Sequence, residues 1–552
     1  MEEFLSNVVS GNVEKCKQLH LETTINISAF EECAFRTSCC LGHLEMSKWL
    51  FETNPAINVH AMNESAFKYS CEHGHLETSK WLLEIDPTID ISAENEYAFR
   101  WSCDNGHLEI SKWLIAIKPT IDISALSDYA FHWSCSNGHL EMSQWLFKMK
   151  PTIKINTGPA VDKYALKNEC VFKNSCENGH LEMCKWLLEI KPTINIRSDD
   201  EYAFRMSCEN GHLETSKWLL DQNPLLDMSA LENYAFRKSC ANGHLETSKW
   251  LKAMNPTLNM RELDDYAFRH SCENGHLETS QWLLEMNPEI KTRYECIEYA
   301  FQASCENGHL EMSQWLLELN PIMFELCENA FRHSCGNGHL QTSKWLFRLN
   351  PTISITESDF QTCCVNGHLE TSKWMIRMNP AVKIETYHFH SACANGHLDM
   401  SRWILRMNPT IDISSDDELA FRSSCSNGHL ETSKWLLRKK PTIDIRACND
   451  YAFRHSYIYN YMIMWLISLC ENYTYTVNAA SGHMEPKVTT TIFLDKDTAV
   501  IHEDCCICYG VSSCITECNH VVCKPCISHL NESTCPICRQ SFNVCYVNKK
   551  NG

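Results

Sequence analysis

The string Asn-Gly-His-Leu-Glu, or a close variant, recurs thirteen times along the 552 residues. Self-similarity at such an interval restricts the chain to a stack of like units. The recurring His falls at positions 43, 75, 107, 139, 180, 212, 244, 276, 309, 339, 368, 397 and 429. Seven of the twelve intervals are 32 residues and the others run from 29 to 41. The unusual residue types keep the same phase. Thirteen of the 16 Trp stand six residues after that His, thirteen of the 17 Pro stand twelve after it, and thirteen Cys, from Cys39 to Cys425, stand four before it. Most of the cysteine excess is therefore a repeat position and not a disulfide framework.

One copy, Tyr97 to Ile123, reads YAFRWSCDNGHLEISKWLIAIKPTIDI. Phe99, Ser102 and Cys103 mark the buried side of a short first helix. Asn105-Gly106 ends it, because glycine accepts the left-handed conformation of a helix C-terminus. Leu108, Trp113 and Leu114 give a second helix its apolar stripe, and Pro119 stops that helix. Two helices of this length cannot bury their apolar faces alone, so neighbouring copies must stack. Cys103 suits a close approach of helices as a small, soft core residue.

These residues resemble the ankyrin repeat. Gly-His-Leu-Glu followed by Lys-Trp-Leu-Leu matches that family's second helix, and the family period of about 33 residues is close to this one. The resemblance implies a mostly α, ankyrin-like helical solenoid in which the recurring His is a turn residue tying adjacent loops. Tyr97-Ala98-Phe99-Arg100 stands where ankyrin has Thr-Pro-Leu-His, Ser102-Cys103 replaces the paired Ala, and Lys118-Pro119 replaces Gly-Ala. The residues of the projecting β-hairpin are thus missing, while those of the helix pair are present. The departures resemble in style the ankyrin proteins of large DNA viruses, which would place the protein in the host cytoplasm.

The array is expected to span residues 1–470 in about fifteen units, with a half-matching copy in residues 1–28 and a closing copy in 451–469 that lacks the Asn-Gly-His turn. An insertion around Thr157 to Lys167 accounts for the interval of 41 and reads as a surface loop. Apolar residues make up 44% and charged residues 21%, a globular composition. The net charge of -20 has the wrong sign for a nucleic-acid binder. The opening stretch, with two acids and no basic region, is not expected to be a secretory signal. The most apolar run, Tyr457 to Cys470, is 14 residues and contains Asn460, too short to span a membrane. An intracellular, cytoplasmic protein with reduced or metal-bound thiols is the expectation, with no membrane partner.

The repeat copies can be compared with one another. The residue six before the His varies more than its surroundings: Thr37, Tyr69, Trp101, Trp133, Asn174, Met206, Lys238, His270. Equivalent positions line one face of a stack, so Tyr69, Trp101 and Trp133 form a candidate partner-binding stripe. Packing of these rings against the next copy is the competing reading. The repeat His and Cys are read as structural, since each pair lies across a helix end and occurs once per copy.

After Leu469 the pattern stops. Residues 471–500 are polar and read as a linker with one strand, and residues 501–545 as a separate module. There the order is Cys505-x2-Cys508, nine residues, Cys518-x-His520, two residues, Cys523-x2-Cys526, eight residues, Cys535-x2-Cys538. Eight ligands in four close pairs suffice for two tetrahedral Zn2+ sites. About fifty residues cannot hold together on an apolar core alone, so metal must supply folding energy. Charge in 501–552 is balanced, which offers nucleic acid no basic surface.

Order and spacing resemble the RING finger over residues 505–539, with His as the fourth ligand. The resemblance implies interleaved sites, Cys505, Cys508, Cys523 and Cys526 on one ion and Cys518, His520, Cys535 and Cys538 on the other. Spacing alone also allows sequential pairing, and Cys514 is an alternative to Cys518. RING fingers that act as ubiquitin ligases hold a ubiquitin-charged conjugating enzyme beside a substrate lysine and use no nucleophile of their own. By resemblance Ile507, Leu530 and Pro536 would form the conjugating-enzyme groove, and Arg539 would bridge that enzyme and ubiquitin. Leu530 departs from the frequent Trp. The expectation is a RING-type E3 ubiquitin ligase whose array binds a target protein. The alternative is a non-enzymatic scaffold with a structural zinc module.

Overall fold

The structure is a computed structural model. It describes residues 2–22, 25–155, 170–456 and 458–470, and after them only short strands. The insertion at 157–167 lies outside the described residues, as do all eight Cys and His ligand positions and Ile507, Leu530, Pro536 and Arg539. The described residues divide into two compact units, Met1–Ala300 and Phe301–Gly552.

In each unit the described residues form a succession of helix pairs, thirty α-helices in fifteen pairs among the described residues, from Glu2–Val9 to Asn460–Leu469. The copy dissected above forms Ala93–Asp104 and Leu108–Ile117. The N–H of Asn105 closes the first helix on the carbonyls of Cys103 and Trp101. Gly106 then takes φ +76, and a Cβ there would come within 2.5 Å of the His139 ring of the next copy. Both the conformation and the close approach require glycine.

Three contacts hold each copy to itself and to the next. Within the copy the Ser102 and Ser111 hydroxyls are 2.8 Å apart, and the Cys103 thiol donates to Ser111 Oγ at 3.4 Å. Phe99, fully buried, has its ring 6.4 Å from that of Trp145, the tryptophan of the next copy. The same Phe–Trp step recurs through the first unit (Phe67–Trp113, Phe204–Trp250) and the second (Phe301–Trp345, Phe421–Trp465). The first helices also pack side by side, Ala93–Asp104 against Ala61–Glu72 and Ala125–Ser136.

The joint between copies has no strand among the described residues of the array. Where the interval is 32 residues, the first helix opens instead with a left-handed turn of three non-glycine residues, such as Glu94, Asn95 and Glu96 at φ 56, 57 and 62. Left-handed residues of this kind cost about 1–2 kcal/mol each. Three hydrogen bonds offset that cost. Arg100 donates from Nε to the Asn95 carbonyl at 2.7 Å and from Nη2 to that of Glu94 at 3.1 Å. Glu96, at the third position, accepts the backbone N–H of Asp122, in the loop that leads into the next copy, at 3.4 Å. Arg205, Arg237 and Arg422 clamp their own turns identically.

Copies of other lengths start differently. Pro288–Thr292 and Pro321–Leu326 are 3-10 turns, and Glu357–Val365 begins with a capping box between Thr356 and Asp359. The 32-residue period thus matches the length that accommodates the clamped left-handed turn.

Beyond the last helix pair, β1 (Tyr473–Val477) pairs antiparallel with β2 (Met484–Val488). β3 (Thr490–Leu494) pairs parallel with a distant strand, Phe542–Tyr546. Ile501–Asp504 pairs antiparallel with Val511–Ser512. Residues 471–500 therefore contain three strands where the sequence suggests one.

Replacing the Arg100 clamp by Arg100→Met, which keeps the buried stem, should destabilise the array by about 1.5–3 kcal/mol in urea unfolding, the range for hydrogen bonds to a charged group. An unchanged urea midpoint would show that the left-handed turn does not depend on the guanidinium.

Candidate functional site

Tyr69, Trp101 and Trp133 lie near the ends of three successive first helices, half-buried, and the structure brings them into one aromatic row. Tyr69 meets Tyr97 edge-on at 5.9 Å, Tyr97 stacks on Trp101 at 5.6 Å, Trp101 lies 5.9 Å from Tyr129, and Tyr129 is 5.9 Å from Trp133. The intervening tyrosines come from the Tyr-Ala-Phe-Arg segment. The rings thus pack against the next copy and also keep exposed area. The two readings of the stripe are compatible.

Comparison of single positions missed the Tyr–Arg–Tyr sandwich behind this row. The Arg100 guanidinium lies 5.9 Å from the Tyr97 ring and 4.7 Å from the Tyr129 ring. Arg205 sits between Tyr202 and Tyr234, and Arg237 between Tyr234 and Tyr266. Each such contact contributes about 0.5–2 kcal/mol depending on desolvation. Tyrosine hydroxyls of these sandwiches also donate to an acid of the preceding copy, Tyr97 to Glu72 at 2.8 Å and Tyr129 to Asp104 at 3.1 Å. Burial raises both phenols, raises the Asp104 carboxyl and lowers Arg100. The recurrence of Tyr and Arg three apart was the available signal, but which copy each side chain would touch was not.

The repeat thiols are sealed. Cys39, Cys103, Cys208 and Cys425 are fully buried, and desolvation pushes each up to about 12. At neutral pH they are thiols, neither nucleophiles nor ready metal ligands. In one copy Cys184 replaces the buried serine, 3.2 Å from Cys176. Among the described residues no three His, Cys, Asp or Glu side chains gather where a metal ion would sit. Nor is any described helix long and apolar enough to cross a membrane.

The repeat histidines sit against the turn of the preceding copy. His43 Nε2 is 3.0 Å from the Val9 carbonyl and His397 Nε2 is 2.9 Å from that of Val365. Where a shift is resolved, burial lowers the ring below the ordinary 6.5, as at His75, His107, His139, His212 and His368.

The ankyrin-repeat family (many copies) matches residues 174–220 and 265–317. Both stretches contain a Gly-His-Leu-Glu turn and its second helix, so the chain contains ankyrin repeats in these two stretches. Such repeats bind proteins, and a protein partner is the function they imply here. No curated protein matches the chain.

The lowered histidines fix a pH dependence. The folded array prefers neutral rings, so their contribution is fully present above 6.5 and is lost as pH falls from there toward the lowered folded values. The urea midpoint should fall steadily between pH 7 and pH 5.5, before most carboxylates titrate. A flat midpoint over that range would mean that the rings accept protons without cost.

Proposed function

We propose that the chain is a RING-type E3 ubiquitin-protein ligase in which the ankyrin array holds a target protein and the C-terminal module recruits a ubiquitin-conjugating enzyme, inside the cell and in the cytoplasm of the host if the protein is viral. The observation that carries this reading is the set of eight soft ligands in four close pairs between Cys505 and Cys538. Thiolates and one imidazole in such pairs are the donors tetrahedral zinc prefers. Cys505, Cys508, Cys523 and Cys526 would hold one ion and Cys518, His520, Cys535 and Cys538 the other. Bound zinc would supply folding energy to the module and no reaction step. The parallel pairing of β3 with Phe542–Tyr546 brings together the two ends of the segment that carries the ligands, which suits a compact module.

The chemistry would be positioning. Ile507, Leu530 and Pro536 would offer an apolar surface to the conjugating enzyme, and Arg539 a donor that restrains the ubiquitin thioester. Confining the thioester near a lysine of the captured protein converts a bimolecular encounter into a local one. On the array, the row containing Tyr69, Trp101 and Trp133 is a proposed target contact, since half-buried rings anchor partners at low entropic cost. Leu530, in place of the frequent Trp, favours the second reading, a scaffold whose zinc module only folds or self-associates.

Purified protein with a panel of conjugating enzymes should build ubiquitin chains on itself. Ile507→Ala should retain two zinc ions per chain and lose at least nine-tenths of that activity. Wild-type protein holding two zincs but inactive with every enzyme would support the scaffold. Cys505→Ala should lose metal while leaving the helical circular-dichroism signal of the array unchanged, and collapse of that signal would contradict the independence of the module.

A further inference from the structure

The residue nine positions after the repeat His divides the array by charge. In the first nine copies it is acidic six times, as Glu52, Glu84, Glu189, Asp221, Glu285 and Glu318. In the last four it is Arg348, Arg377, Arg406 and Arg438 without exception. These four stand on Leu340–Leu349, Leu369–Met378, Leu398–Met407 and Leu430–Lys439, and all are exposed. On three of these helices the cation four residues earlier is answered by its own helix: Lys373 pairs with Glu370 at 2.6 Å, Arg402 with Asp399 at 3.3 Å and Lys434 with Glu431 at 3.2 Å. Among the described residues none of the four later arginines is within ion-pair distance of a carboxylate. A chain of net charge -20 thus carries a run of exposed cations on one equivalent position.

The run includes a cleft. Between Leu398–Met407 and Leu430–Lys439 lies a cavity of about 360 Å³, with Leu405, Ile411 and Trp435 among its apolar lining and Arg402, Arg406 and Lys439 around them. Beside the arginines Met378 and Met407 are 46% and 50% exposed. Flexible thioethers suit a surface that accommodates varied apolar side chains.

We propose that these four helices bind an acidic protein segment studded with apolar residues, an apolar side chain entering the cleft at Trp435 and carboxylates meeting Arg377, Arg406, Arg438 and Lys439. The charge complementarity steers the encounter and the apolar lining selects among anions. A nucleic acid fits less well. Its phosphates gain nothing from an aliphatic lining, and a long polyanion is repelled by the rest of an acidic chain. The proposal rests on the reading of the array as a protein-binding surface and on nothing in the zinc module.

The test is fluorescence anisotropy on the full-length protein with a labelled synthetic peptide of alternating Glu and Leu. A polyglutamate peptide and a single-stranded oligonucleotide serve as comparators. Arg406→Glu should weaken the Glu-Leu peptide at least tenfold and Arg377→Glu several-fold, while Lys148→Glu, the equivalent position in an earlier copy, leaves it unchanged. All three positions are solvent-facing, and an unchanged melting temperature confirms that the variants fold. Polyglutamate should bind at least tenfold more weakly than the mixed peptide. No binding by wild type, equal binding by Arg406→Glu, or tighter binding of the oligonucleotide would overturn the proposal. So would a wild-type dimer in sedimentation that Arg406→Glu dissociates, since the occupant would then be a second copy. The assay contains no ubiquitin, so its failure leaves the ligase reading intact, and an inactive ligase leaves this one intact.

Discussion

Everything in the array depends on the contact between a phenylalanine of one copy and the tryptophan of the next. A helix pair of some twenty residues has no interior of its own. Phe99 is fully buried, with Trp145 of the following copy among the rings packed beside it. Stability in such a stack is a sum of nearest-neighbour terms. That explains why Trp recurs six residues after the His with so little variation while other positions drift. The serine pair and its neighbouring thiol serve the same joint from inside, satisfying buried hydroxyls where two helices touch. Cysteine abundance here reflects volume and softness, and the raised thiols follow from it.

The left-handed turn shows how a strained element persists when its surroundings determine it. Three non-glycine residues at positive φ would not hold this shape in an isolated peptide. Here Arg100 ties two of their carbonyls, and Glu96 holds the backbone of the loop that leads into the next copy. The same arginine lies between two tyrosines, so one side chain joins the turn to the aromatic row. Where the interval between copies changes, the turn gives way to a 3-10 turn or a capping box, and the arginine loses that task.

Charge is distributed differently from structure. The joints repeat almost without change from copy to copy, while the residue nine after the His passes from mostly carboxylate to arginine in the last four copies. No stacking contact requires that change, because the position is exposed. A uniform scaffold with a local change of surface sign separates what holds the chain together from what it can bind.

Much was legible in the residues alone. Period, helix boundaries at Asn105-Gly106 and Pro119, the buried Phe99 and Cys103, and the stacking of copies all follow from local conformational rules and apolar spacing, which act within a few residues. The four close Cys/His pairs between Cys505 and Cys538 are likewise a matter of order along the chain. Other features needed the fold. That Tyr97 reaches Glu72 of the preceding copy, that Arg100 is held between Tyr97 and Tyr129, and that Arg406 and Lys439 share one cleft with Trp435 depend on which copies touch and on the angle between them. Sequence by itself determined the unit and its repetition, because propensity and patterning are local. Tertiary structure decided the contacts between units and the surfaces they create, because those are set by packing across 25 or more residues, where no local rule applies.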